Sequence, residues 1–350
     1  MSLGFFLSLG LWFGDAPVVP SSTSVMQDQQ LQRNISVHDP VMIKQGDTYY
    51  LFCTGRGIAM WSSKDMQQWQ REKPVFENAP DWAIQAIPGF KNHIWAPDIS
   101  FYQGVYYLYY SVSAFGKNTS AIGLVTNKTL NPSDKDYKWV DHGKVIQSIP
   151  GQTNWNAIDP NVITDSAGNP YLTFGSFWEG LKLIKLSADR KSPVQPTQNL
   201  PTIASRKSMA TTGNMPAAAN NPVNAGENAI EAPFIFKKNN YYYLFASFDY
   251  CCKGVNSTYK IMVGRAKDVQ GPYMDKAGKP MTQGGGSLVL AGDSKWYGVG
   301  HSATYTFDNK DYLIFHAYDA ADNGKSKLRI EPLTWDIQGW PVVLNKAGGK

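Results

Sequence analysis

Short apolar runs, split by a turn and closed by a stretch of aromatics, recur along this chain. Each copy opens on a segment ending in an acidic residue or proline. A strand-like run follows, then a turn, then a second run rich in Tyr and Phe. The copies read DPVMIKQGDTYYLFCTG (39–55), APDISFYQGVYYLYYSV (96–112), DPNVITDSAGNPYLTFGSF (159–177), APFIFKKNNYYYLFASF (232–248) and SATYTFDNKDYLIFHAY (302–318). Their turns, Gln-Gly-Asp, Gln-Gly-Val, Ala-Gly-Asn, Lys-Asn-Asn and Asp-Asn-Lys, are hairpin signals between β-rich runs. A third strand is expected at 58–63, 121–126, 181–186, 260–266 and 327–333, and a fourth in segments ending in Trp69, Trp139 and Trp335. A four-stranded unit repeated five times predicts an all-β chain, a five-bladed β-propeller folded as a single domain. A blade cannot bury both faces alone, so neighbours must stack. A β-sandwich would not repeat a turn and an aromatic run in phase five times. No long amphipathic helix is visible.

The propeller is expected over residues 31–350, behind a signal-like apolar segment and linker at 1–30. The apolar run at 3–13 is shorter than the roughly 20 residues a membrane helix needs. No Lys or Arg precedes it, so a signal remnant, an intact signal and a segment packed on the domain all stay open. Residues 17–30 read as a linker.

Composition narrows the classes. Of the residues, 43% are hydrophobic, which argues against disorder, and 3 Cys exclude a disulfide-dense scaffold. Net charge is +5, from 33 Lys and Arg against 28 Asp and Glu, without a dense basic run. Nucleic acid is therefore not an expected partner. The pair Cys251-Cys252 is expected as two adjacent thiols, with a vicinal disulfide or pairing with Cys53 as alternatives.

First strands line a propeller's central channel, so the position before each one lies at the channel mouth. Reading that position in every copy gives Asp39, Asp98, Asp159, Glu231 and His301. Like charges gathered in one cavity raise one another's pKa, a cost that points to function. Glycoside hydrolysis wants such a set: one carboxylic acid protonates the leaving oxygen and another carboxylate activates water. Trp95, Phe115, Phe177 and Trp178 supply aromatic faces suited to sugar rings.

The motifs VHDPVM (37–42), HIWAPDI (93–99), SAFGKNTS (113–120), WNAIDPNVI (155–163), FGSFWEGLKL (174–183), IEAPFIF (230–236), CCKGVNSTY (251–259) and GHSATY (300–305) resemble glycoside hydrolase family 43, and within it the endo-1,5-α-L-arabinanases. The resemblance runs from about Val37 to Val343. It implies an inverting hydrolase of linear α-1,5-arabinan, with Asp39 the general base, Glu231 the general acid, and Asp159 raising and orienting that acid. It places Trp95 toward substrate and demotes Asp98 to a structural role. His38, Phe115, Asn156, Ile158 and Ser176 map near the sugar subsite. It also implies a calcium ion in the central channel with His301 as protein contact, a secreted or periplasmic setting, and a monomer with no membrane association in its mature form. Exo-action and a non-catalytic carbohydrate-binding propeller are the alternatives. Inversion expects the Asp39 and Glu231 carboxyls to lie about 6.5–9.5 Å apart.

Overall fold

A computed structural model describes Met1 and residues 31–197, 200–207 and 228–344. The apolar run and linker expected over 1–30 lie, Met1 apart, outside the described residues.

The strands form five antiparallel blades in a β-propeller. Blade one holds β1 (Val41–Gln45), β2 (Thr48–Cys53), β4 (Ala59–Ser63) and β5 (Gln70–Arg71). Blade two holds β6 (His93–Tyr102), β7 (Val105–Ser113), β8 (Ser120–Asn127) and β9 (Val140–Ser148), with β3 (Gly55–Arg56) added beside β6. Blade three runs β10 (Asn161–Thr164), β11 (Pro170–Phe174), β12 (Leu181–Lys185) and β13 (Thr202–Ala204). Blade four runs β14 (Ile230–Lys238), β15 (Tyr241–Phe248), β16 (Lys260–Ala266) and β17 (Ser287–Ala291). Blade five runs β18 (Trp296–Phe307), β19 (Lys310–Asp319), β20 (Lys325–Trp335) and β21 (Pro341–Val343). One short helix, α1 (Asp81–Ala86), lies between blades one and two in the chain.

The expected turns close the hairpins. Gln103 and Gly104 (φ 48° and 79°) join β6 to β7, and Asp308 and Asn309 (φ 49° and 62°) join β18 to β19. Positive φ at both central residues is what a type I′ turn requires, and it matches the twist of the flanking strands. The third strands lie where the pattern put them. The fourth do not end in tryptophan: Trp69 and Trp139 immediately precede β5 and β9, and Trp335 ends β20, a third strand.

Each aromatic second strand is buried on both faces, and its period of two divides its side chains between neighbours. On β2, Tyr50 and Phe52 join a core shared with blade two, while Tyr49, Leu51 and Cys53 join a core shared with blade five. On β15, Phe245 packs toward blade five, and Leu244, Ala246 and Phe248 toward blade three. Residues 35–36 help close the ring: Leu328 N donates to Ile35 O at 3.1 Å, and Ser36 Oγ to Ser326 O at 3.0 Å. These stacked cores hold the cleft ends of the five first strands beside one another.

Candidate active site

At that end every blade carries one residue in the left-handed backbone region: Asp39 (φ 54°), Ala96 (41°), Asp159 (59°), Ala232 (55°) and His301 (49°). In four blades a proline follows, and proline disfavours helical backbone in the residue before it. Left-handed backbone at a non-glycine residue costs on the order of 1–3 kcal/mol, and such strain gathers at functional sites. The preceding residues, His38, Trp95, Ile158, Glu231 and Gly300, pair with Thr54, Ser111, Gly175, Ser247 and His316, which lie on the second strands or, for Thr54 and Gly175, one residue past their ends. The acidic residues read as one register position therefore occupy three. Asp39, Asp159 and His301 share a row, Glu231 lies one residue earlier, and Asp98 two residues later.

That offset explains Asp98. It is buried, and its carboxylate accepts from Asn161 Nδ2 at 3.2 Å and Val162 N at 2.8 Å. Burial pushes it up to about 7. It ties blade two to blade three and does not line the cleft.

Asp39 sits among imidazoles. Its Oδ1 lies 2.8 Å from His38 Nδ1 and 3.0 Å from His301 Nδ1, and its Oδ2 accepts from Thr54 Oγ1 at 2.5 Å. Burial opposes its charge, but His38 and His301 outweigh burial and hold the carboxyl well below the usual carboxylate range. Glu231 is driven the other way. Burial and then the charge of Asp159 push it up to about 8, although Ser176 Oγ donates to its Oε2 at 2.6 Å. Asp159 accepts from Ala232 N at 3.1 Å, and burial raises it to about 6. Burial works against a charge on His301, yet Asp39 first, then Asp159 and Glu231, carry it up to about 9. One acid is thus prepared ionised and another protonated, within one cleft.

A cavity of about 910 Å³ unites these groups. His38, Asp39, Trp95, Phe115, Asn156, Ile158, Asp159, Ser176, Glu231 and His301 all line it, with Phe177 and Trp178. Phe115 is 79% exposed, so its face is open at the rim. Asn156 Oδ1 is buried and has no hydrogen-bond partner among the described residues, an acceptor left over for something entering the cavity.

One expectation changes here. Cys251 and Cys252 are not thiols but are joined in a disulfide on the cleft wall, with Cys252 N donating to Tyr318 Oη at 2.8 Å. The residues around His301 do not fit a protein-built calcium site. Asp39 takes up Nδ1, leaving one ring nitrogen, whereas a hard cation prefers six to eight oxygens.

Thr54, His316 and Tyr318 went unread in the sequence. Tyr318 Oη lies 2.8 Å from His38 Nε2, and His316 Nδ1 accepts from Asp39 N at 3.2 Å. Their signal was phase: Thr54 and His316 fall at the same second-strand position of their repeats.

Residues 33–341 match the family described as Glycosyl hydrolases family 43. The chain is 51% identical to the extracellular exo-α-(1→5)-L-arabinofuranosidase ArbA of Cellvibrio japonicus, over 90% of this chain and 88% of that one. It is 45% identical to the extracellular endo-α-(1→5)-L-arabinanase 1 of Bacillus subtilis, over 88% of each. The solved α-L-arabinanase of Cellvibrio cellulosa in complex with arabinohexaose superposes with a TM-score of 0.83 at 51% identity, covering 90% of this chain and 97% of that one. The strained row of cleft residues, the carboxyls driven apart in pKa and these likenesses lead to one statement: the chain is a glycosidase that belongs to glycosyl hydrolase family 43.

Proposed function

We propose that the protein hydrolyses α-1,5-L-arabinofuranosidic bonds of linear arabinan with inversion. The observation that carries this reading is the opposite displacement of two cleft carboxyls, Asp39 held well below its usual range and Glu231 raised to about 8. Near neutral pH, Glu231 gives its proton to the glycosidic oxygen as the bond from C1 to that oxygen breaks. Water attacks C1 from the opposite face, and Asp39 takes the proton that this water loses. One water is consumed, and a new reducing end of inverted configuration is released. Asp159 supplies the neighbouring charge that raises Glu231. Trp95, Phe115, Ile158 and Asn156 line the sugar subsite, with His38 and Ser176 holding the two catalytic carboxyls.

The substrate class rests on the relatives, named for α-(1→5)-L-arabinan chemistry, and on the arabinohexaose complex of the Cellvibrio cellulosa protein. Their names also support an extracellular setting. Internal cleavage is the reading made from the motifs. Exo-action is the second, favoured by 51% identity to a relative named exo-acting against 45% to one named endo-acting. A time course of product sizes on linear α-1,5-arabinan decides between them. An early ladder with a fast fall in viscosity is the endo result, and a single short product from the outset is the exo result. Binding without any product would refute hydrolysis.

A further inference from the structure

The left-handed residue of each blade offers one backbone N–H to a side chain of the preceding blade. Ala96 N donates to Thr54 Oγ1 at 2.9 Å, Asp159 N to Ser111 Oγ at 3.0 Å, and His301 N to Ser247 Oγ at 2.7 Å. These three acceptors are hydroxyls at one equivalent position of the second strand. The other two blades depart from the pattern, and both departures touch the acids. In blade three the position is Gly175, where an added Cβ would meet Gly180 O at 2.8 Å. No hydroxyl fits there, and Ala232 N turns instead to Asp159 Oδ2 at 3.1 Å, which holds that carboxylate beside the residue following Glu231. In blade five the position is His316, whose Nδ1 accepts from Asp39 N at 3.2 Å.

His316 is completely buried, and its Nε2 has no partner among the described residues. Accepting a backbone N–H requires a lone pair on Nδ1, so the neutral ring carries its proton on Nε2, where the donor goes unmet. A serine, as in blades two and four, would avoid that cost. The ring also stacks on His38, with centroids 3.8 Å apart and planes 28° from parallel, and His38 contacts the Asp39 carboxylate. One imidazole therefore holds both the backbone of Asp39 and the face of its hydrogen-bonding neighbour.

We propose that His316 is a positioning residue for Asp39, its Nδ1 lone pair fixing the left-handed backbone from which the carboxylate projects. This inference rests on the assignment of Asp39 as general base. His316→Leu keeps bulk but removes the acceptor. His316→Asn loses the ring but sets an amide oxygen near the place of Nδ1. On linear α-1,5-arabinan the leucine variant is expected to lose about 10–100-fold in kcat, the scale of a misplaced reacting group, with KM changed less than about threefold. The asparagine variant is expected to stay within about fivefold of the parent. Equal losses in both, or full activity in the leucine variant, would overturn the proposal. Should the leucine variant not fold, His316→Ala against His316→Asn reads the same contrast. Asp39→Ala is assayed alongside. Activity retained there refutes Asp39 as the base, whereas its loss beside a fully active leucine variant refutes only the role of His316.

Discussion

Identical chemistry serves opposite ends at Asp39 and Glu231, because a carboxyl's proton is governed by what faces it. Two imidazoles beside Asp39 favour its charge, while burial and the neighbouring Asp159 disfavour the charge of Glu231. The sign of the pH dependence follows. Under the proposed roles Glu231 must carry its proton, so kcat/KM is expected to fall as pH rises through about 8, and Asp39 ionises far enough below neutrality to leave the activity intact there. Glu231→Gln is expected to lower kcat by about 10²–10⁴-fold and to abolish that alkaline limb. A pH–rate profile of the variant that still turned down near 8 would assign the limb elsewhere. Asp39, Asp159 and His301 were legible because they recur in phase with the repeat. Glu231 and Asp98 do not share that row, and the prolines mark the difference: the residues before Pro40, Pro97, Pro160 and Pro233 are Asp39, Ala96, Asp159 and Ala232, so Glu231 falls one position earlier and Asp98 two later.

At the scale of strands, hairpins were readable and edges were not. Turn residues with positive φ are few in kind, so Gln103-Gly104 and Asp308-Asn309 announce themselves. Fourth strands lie on the blade margins, and β5, only Gln70–Arg71, demands no particular side chains, which is why the tryptophans misled. Bonding between adjacent cysteines was equally hidden, because adjacency alone does not choose between Cys251–Cys252 and free thiols. The aromatic second strands carry the packing. Phe245 is fully buried on β15, so Phe245→Ala is expected to cost about 3–5 kcal/mol in denaturant unfolding. It should leave kcat per folded molecule unchanged, as its ring lies in the core between blades four and five. A loss below about 1 kcal/mol would mean that the core closes over the gap.

For the whole molecule, five blades matter because they set five first-strand ends around one cavity. No single blade holds the site: Asp39 comes from blade one, Asp159 precedes blade three, Glu231 opens blade four and His301 lies in blade five. Side-chain acceptors passed from each blade to the next tie these ends together. That architecture was legible from the repeat. The inter-blade bonds were not, because they join residues far apart in sequence through single side chains. Stereochemistry tests the proposed division of labour between the two acids most directly. Proton NMR of the first turnovers on an α-1,5-linked arabino-oligosaccharide, recorded before the sugar mutarotates, should show the β-configured reducing end appearing first. An initial α-configured product would mean retention, and would contradict water activation by Asp39.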